Sequence, residues 1–502
     1  MKKLIVLGGG TAGWMAVSLL RARLPKSIDI SIIDSSTLPS IGVGEGSTPI
    51  LKTLFDNLGV SESEWMPKCN ATYKLGIQFE HWSIHPGYQS YFNPFYSPFD
   101  PDHAKALVYH SRLRRGGYQV DCLPDKYCFS AYLAKKQLSP LPPINFPFEP
   151  LYGYHFDASL LAKFLMERAK REGVTHVDVQ IERVLTCEQR GIESLIDSQG
   201  NPHQADFYVD CSGFQSMLLQ QALNVPFQSY EDVLFNDAAV TLSLPAMAPM
   251  PCQTVSTALS CGWAWQIPLQ SRTGVGYVYS SRHLNADQAA AELAAHVGLN
   301  DQQLQEVKPK SVAMKVGRVE KHWHKNVLAI GLSQGFIEPL EATGLALTQQ
   351  AVNRFIDYLK QGRLGEQDKD DYNRQTNASF DSVKDFIHTH YLTNSRNDSD
   401  YWQQARASIS KASPKLQAVL EAWNNNQDIE PILNQQDMTR FYSANSWHYL
   451  LCGVGFFSQF NELQPPPAQA AAVDISRFER FFNRCAMNYP PHQQTLQTLE
   501  QQ

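Results

Sequence analysis

Paired cysteines, basic runs and long apolar runs are all missing from this 502-residue chain. Its nine cysteines are scattered without a C-x-x-C pair or ligand spacing. That excludes a disulfide framework and points to reduced thiols in a cytoplasmic protein. Lys and Arg total 43 against 49 Asp and Glu, for a formal net charge of −6. With no dense basic stretch, nothing in the chain attracts nucleic acid or an anionic membrane surface. No apolar segment approaches the ~20 residues of a membrane span. The opening MKKLIVLGGG imitates a signal peptide briefly, but its glycines cut the apolar run short, and it reads as a first strand. Internal repeats and long disordered tracts are absent as well, and the histidines show no metal spacing.

What is present is an ordinary globular composition, 43% hydrophobic and 11% aromatic. The length exceeds a single small core, so two lobes are expected. The run Lys3–Leu7 reads as a buried parallel strand, followed by a helix over Thr11–Leu24 and a strand at 29–33. Strand, turn, helix, strand opens a doubly wound sheet. A stretch at 83–150, rich in proline and aromatics, is expected to be irregular, because each proline removes a backbone donor. Helical patterning returns at 157–172, a strand pair near 176–197, and a strand ends in VDCSGF at 209–214. Antiparallel alternation fills 235–280. A helix over 286–298 stops at Gly298, and from 343 onward the chain is mostly helical. QPPPAQAAA at 464–472 reads as a stiff connector before a last amphipathic helix near 474–486.

GGGTAG places Gly8, Gly10 and Gly13 between the first strand and the first helix. These glycines allow a tight turn, close backbone approach to a pyrophosphate, and close helix–strand packing. Asp34 ends the next strand, placed to accept from a ribose hydroxyl. No second G-x-G-x-x-G follows a strand, as a dedicated NADPH domain would need, and the later strand–turn unit NVLAIGLSQGFIEP suits one large dinucleotide. FAD is favoured over NAD on these grounds.

CGWAWQIPLQ, at 261–270, sets Trp263 and Trp265 on one face of a strand that stops at Pro268. They read as core, or as a wall beside a flat cofactor. GGGTAGW, GWAWQIP and GFIEPLEATG together resemble the flavin-dependent halogenases, the tryptophan halogenase family. IGVGEGSTP, CNATYKLGIQF, YHFDASLLAKFL, VDCSGFQSMLL and GVGYVYSS extend the likeness, in family order, through most of the chain.

The resemblance implies a mixed α/β fold. A Rossmann-like FAD lobe of the flavin monooxygenase type would cover 1–345, with the insertion at 83–150 packing toward the substrate side. A mostly helical substrate lobe would cover 346–502. It implies reduced FAD from a separate flavin reductase, with oxygen and chloride or bromide giving hypohalous acid, which halogenates a small electron-rich aromatic of indole type, tryptophan or free indole. Flavin contacts would come from Gly8, Gly10, Thr11, Ala12, Gly13, Asp34, Val43, Gly44, Val184, Leu332 and Leu345. Halide would sit at Thr343 and Gly344. Trp263 and Trp265 would line the oxidant's route, and Lys74 and Glu341 would act on oxidant and arene. Alternation in KLGIQFE puts Lys74 opposite the face of Leu75, Ile77 and Phe79. The lysine is either a hydrogen-bond donor to the oxidant or a haloamine. Ala342 stands where many members carry serine, which puts coupling between flavin and substrate sites in doubt.

On the substrate side, Asn93 replaces an expected histidine and Phe95 keeps the aromatic; a shifted register uses Phe95 and Phe99. Trp447 is available to stack on an arene. The alternatives are an FAD-dependent aromatic hydroxylase and a flavoprotein without catalysis. The assembly is expected to be a monomer or homodimer, with no metal.

Overall fold

The computed structural model describes residues 1–37, 44–95 and 101–501. Packing groups them into two compact units, each gathered from three stretches: 1–71, 156–231 and 314–381 in one, and 72–155, 232–313 and 382–502 in the other. Where the sequence suggested one boundary near 345, strand pairing joins distant segments instead. Val43 and Phe99 lie outside the described residues.

The first unit is built on a six-stranded sheet. Its order is Trp323–His324, Val327–Ala329, Phe207–Asp210, Lys3–Leu7, Asp29–Asp34, Thr175–Asp178. The pairs are parallel except the outermost hairpin, Trp323–His324 with Val327–Ala329. Leu4, Ile5, Val6 and Leu7 are all buried, as the unbroken apolar run requires when helices cover both faces. Each such side chain contributes about 1.5–3 kcal/mol of burial. The helix Thr11–Arg23 buries Gly13 through Leu20 and packs against the helices Ala158–Arg171 and Gly344–Lys360. Asp157 caps the second of these by accepting from the Ser159 and Leu160 amides, which satisfies donors left free at a helix start. The pair near 176–197 forms as Ile181–Cys187 and Gly191–Asp197.

The second unit holds a seven-stranded sheet in the order Lys310–Ala313, Ala238–Pro245, Arg272–Tyr279, Gly262–Pro268, Thr254–Leu259, Gly76–Glu80, Ser90–Pro94. All pairs are antiparallel except Thr254–Leu259 with Gly76–Glu80. The helix Ala286–His296 covers one face, where Leu293 and Ala289 meet Val240, Ala264, Val275 and Tyr277. It opens on a capping box of Asn285 and Gln288. Gly298, just past its end, takes φ +76°, a left-handed turn suited to glycine.

Two expectations are corrected. The 83–150 stretch contains a 15-residue helix, Pro101–Arg115, and a strand, Ser90–Pro94. The helix forms because its one proline is its first residue, where the missing amide has no intrahelical partner to lose. The polyproline connector gives way to a 3₁₀ turn at Ala468–Ala472, and the helix Ile475–Ala486 is followed by another, His492–Glu500. All nine cysteines are free thiols. No helix among the described residues is long and apolar enough to cross a membrane.

Candidate active site

At the ends of the central strands of the first unit, backbone meets backbone. A Cβ on Gly8, which has φ +111°, would stand 2.2 Å from the Cys211 carbonyl oxygen, and one on Gly13 would stand 2.0 Å from that of Gly8. These two glycines are fixed by packing. Gly10 is different, since nothing lies within 4 Å of where its Cβ would be. It is the N-cap of Thr11–Arg23, makes no side-chain cap, and has no acidic residue in the first turn after it. Amides at a helix start over open space, with no acidic residue in the first turn, suit a phosphate group. The residues present therefore fit FAD.

The other glycine-motif residues are partly committed elsewhere. The Thr11 hydroxyl donates to the Ala158 carbonyl at 3.2 Å. Ala12 lies against the loop carrying Leu332: a Cβ on Gly331 would stand 2.6 Å from that of Ala12. Asp34 does end its strand, but one carboxylate oxygen is 2.5 Å from His176 Nε2. The other crowds Gly9, where a Cβ would meet it at 1.7 Å. One Asp34 oxygen is thus engaged within the protein. Val184 lies on the strand Ile181–Cys187 and packs against the core of Ile33, Ile192 and Leu195.

Gly44 is buried at the start of the short strand Gly44–Gly46. Its neighbour Glu45 was not singled out from the sequence. Burial, and then the charge of Asp157, push the Glu45 carboxyl from 4.5 up to about 7. Nothing in a glycine-rich segment signals that shift, because burial is set by packing and the smaller contribution comes from a residue more than a hundred positions away.

A second open helix start lies in the same unit. Glu341 is buried at the end of the turn Pro339–Glu341. Ala342 then adopts φ +55°, a conformation costly for a residue with a Cβ. Thr343 occupies the N-cap position of Gly344–Lys360 without a side-chain cap bond. Gly344 is exposed, with nothing within 4 Å of its missing Cβ, and the first turn, which includes Leu345, is free of acidic residues. The chemistry of Gly10 recurs here on a smaller scale, and it suits a small anion.

In the second unit, alternation does not run through Leu75 as the sequence suggested. The strand Thr72–Lys74 ends, Leu75 donates its amide to the Cys252 carbonyl at 2.7 Å, and a new strand starts at Gly76. Lys74 instead pairs with Gly153 in a different sheet, and is 1% exposed. Its Nζ lies 5.5 Å from the centre of the half-buried Phe95 ring.

Trp263 and Trp265 do share a face, with ring centres 6.1 Å apart. It is the sheet face opposite the helix Ala286–His296, since Ala264 points to that helix. Register places Ser256, Ile77, Phe79, Tyr91 and Asn93 on the tryptophan face too. The Trp265 ring fills the space over Gly276, where a Cβ would meet it at 2.2 Å. Phe95 and Lys74 are thus brought together, and Asn93 shares the tryptophans' sheet face from three strands away. Trp447 is 0% exposed and meets Phe386 edge-on at 5.1 Å, so stacking on a ligand would require it to be uncovered.

A family model described as tryptophan halogenase matches residues 3–466. The chain belongs to the tryptophan halogenase family. This halogenase is 32% identical to the tryptophan 6-halogenase SttH of Streptomyces toxytricini, over 95% of its own chain and 93% of that one. It is 34% identical to the tryptophan 7-halogenase RebH of Lentzea aerocolonigenes, over 90% and 89%. Among solved structures, the tryptophan halogenase of Shewanella frigidimarina superposes with a TM-score of 0.86 at 29% identity, covering 100% of this chain and 98% of that one. The halogenase is accordingly a flavin-dependent enzyme that uses reduced FAD, oxygen and halide, needs a separate flavin reductase, and acts on a small aromatic substrate.

Proposed function

We propose that the halogenase acts on an indole-type arene, free tryptophan or indole, with Lys74 and Glu341 as its catalytic residues. When bound, FAD supplies the oxidation of halide to hypohalous acid. Gly8, Gly10, Thr11, Ala12, Gly13, Gly44, Leu332 and Leu345 would hold it, and Thr343 and Gly344 would hold the halide at the second open helix start. Trp263 and Trp265 would separate that chemistry from the arene, with Asn93 and Phe95 on the substrate side.

The observation that carries the reading is the burial of Lys74, since a lysine removed from water without a role is rare. Its ammonium donates to the oxidant's oxygen and keeps the halogen pointed at the ring. As the carbon–halogen bond forms, the oxygen–halogen bond breaks and the leaving hydroxide takes a proton from the Lys74 ammonium to depart as water. The Glu341 carboxylate takes the ring proton, help worth about 10²–10⁴ in rate. The reduced thiols favour a cytoplasmic enzyme, working as a monomer or homodimer.

The test is a mass-spectrometric product screen with FAD, a flavin reductase, NADH, oxygen and bromide or chloride, offered tryptophan, indole, phenols and pyrroles. A halogen isotope pattern is expected on an indole, abolished in Lys74→Ala and lowered about 10²–10⁴-fold in Glu341→Gln. Halide-independent oxygen addition that survives Lys74→Ala would overturn the reading in favour of a hydroxylase.

A further inference from the structure

Behind Lys74 lies a chain of hydrogen bonds in which each proton has one place. The Thr72 hydroxyl donates to the Pro268 carbonyl at 2.8 Å, a group that only accepts. The Thr72 oxygen is left to accept, so His155 Nδ1, 3.0 Å away, carries a proton and donates to it. His155 Nε2 is then bare, and the Thr254 hydroxyl donates to it at 2.9 Å. Thr72 and His155 are 0% exposed and Thr254 is 8% exposed. The hydrogen bonds place a proton on Nδ1, and burial keeps the ring neutral, which leaves that single tautomer.

These groups come from four strands: Thr72–Lys74, Gly153–Asp157, Thr254–Leu259 and Gly262–Pro268. Pro268 is the residue at which the tryptophan strand ends. Thr72 pairs with His155 and Lys74 with Gly153, so Thr72, His155 and Lys74 project from one face, and the position directly across from Lys74 has no side chain. The free edge of the same strand is held by a second histidine. His492 Nε2 accepts the Tyr73 amide at 3.1 Å, and its Nδ1 donates to the Pro251 carbonyl at 3.1 Å. The strand of Lys74 is therefore gripped on both sides by neutral imidazoles.

We propose that His155 is a positioning residue for Lys74: its ring ties the lysine's strand at Thr72 to Thr254, orients the Thr72 hydroxyl onto the Pro268 carbonyl of the tryptophan strand, and so fixes where the ammonium stands. This rests on the role proposed above for Lys74. Burial, and then the charge of Lys74, hold His155 well below the ordinary histidine range; the other titratable group facing it, His492, is itself neutral. The Thr254 hydroxyl can donate or accept, so burial beside Lys74, rather than the hydrogen bond itself, keeps the ring uncharged.

The experiment compares His155→Ala, His155→Asn, Thr72→Val, Thr72→Ser and Lys74→Ala. It measures kcat and KM for tryptophan or indole with bromide, halogenated product per NADH oxidised, and thermal unfolding. His155→Ala and Thr72→Val are expected to lower kcat and product per NADH at least tenfold, with KM within twofold. Thr72→Ser, which keeps the hydroxyl, and His155→Asn, whose amide can donate where Nδ1 did, should recover most of the loss. Unchanged kcat and coupling in Thr72→Val would overturn the proposal, as would losses that follow melting temperature alone without recovery in the conservative pair. If His155→Ala does not fold, the two Thr72 variants decide. Halogenation surviving in Lys74→Ala would sink the lysine's role and this proposal with it; loss there beside intact His155 and Thr72 variants would sink this proposal alone.

Discussion

Glu45 shows how far one carboxyl departs from its residue type once protein closes around it. Its acid form is favoured in the folded chain up to about pH 7, against 4.5 when solvated. The sign follows from that order: the contribution to stability is full below 4.5 and is lost as pH rises through 7. Some of its surface stays open to water, which screens the effect. Glu45→Gln is therefore expected to stabilise the protein by about 1–2 kcal/mol at pH 8 and by nearly nothing at pH 4.5. Urea unfolding at the two values would show it, and equal shifts at both would contradict it. Glu45 was not legible in the sequence, whereas Gly8, Gly10 and Gly13 were, because their spacing records a backbone requirement within one turn.

Among the elements, the tryptophan strand was read most fully. Alternation placed Trp263 and Trp265 on one face, and proline ended the strand, as found. What alternation could not supply was the cross-strand partner. Gly276 leaves the space that the Trp265 ring fills, so a methyl group there must push the indole aside. Gly276→Ala is expected to destabilise by about 1–3 kcal/mol and to raise oxygenated or unproductive turnover relative to halogenated product. An unchanged melting temperature and product ratio would show the ring to be free to move. The Lys74 strand was misread for a related reason. Period-2 reasoning assumes one ladder, and the break at Leu75 puts Lys74 into a different sheet from Ile77 and Phe79. The helix Pro101–Arg115 was hidden by counting prolines without asking where in the element each one falls.

Across the whole molecule, several histidines are buried neutral. Burial holds His322, His388 and His448 at about 3 and His492 at about 4, and His155 well below its ordinary value. Each stays uncharged in the folded chain while its unfolded counterpart takes up a proton near pH 6.5. Stability is thus expected to fall with acid, starting near pH 6.5, by up to about 1.4 kcal/mol per pH unit for each such group. The urea midpoint should drop steeply between pH 7.5 and 5.5, and a flat profile would contradict the burial assigned to them. The fold class was visible early, since strand, turn, helix and strand at the start dictate a parallel sheet. The grouping of three stretches into each unit was not, because it depends on pairings across hundreds of residues. That arrangement has a consequence in time. The strand Lys3–Leu7 is made some 200 residues before its neighbour Phe207–Asp210, about 10–40 s earlier at ordinary synthesis rates. For that interval one edge of a strand with four consecutive apolar residues waits for its partner, and the nascent enzyme depends on whatever shields it.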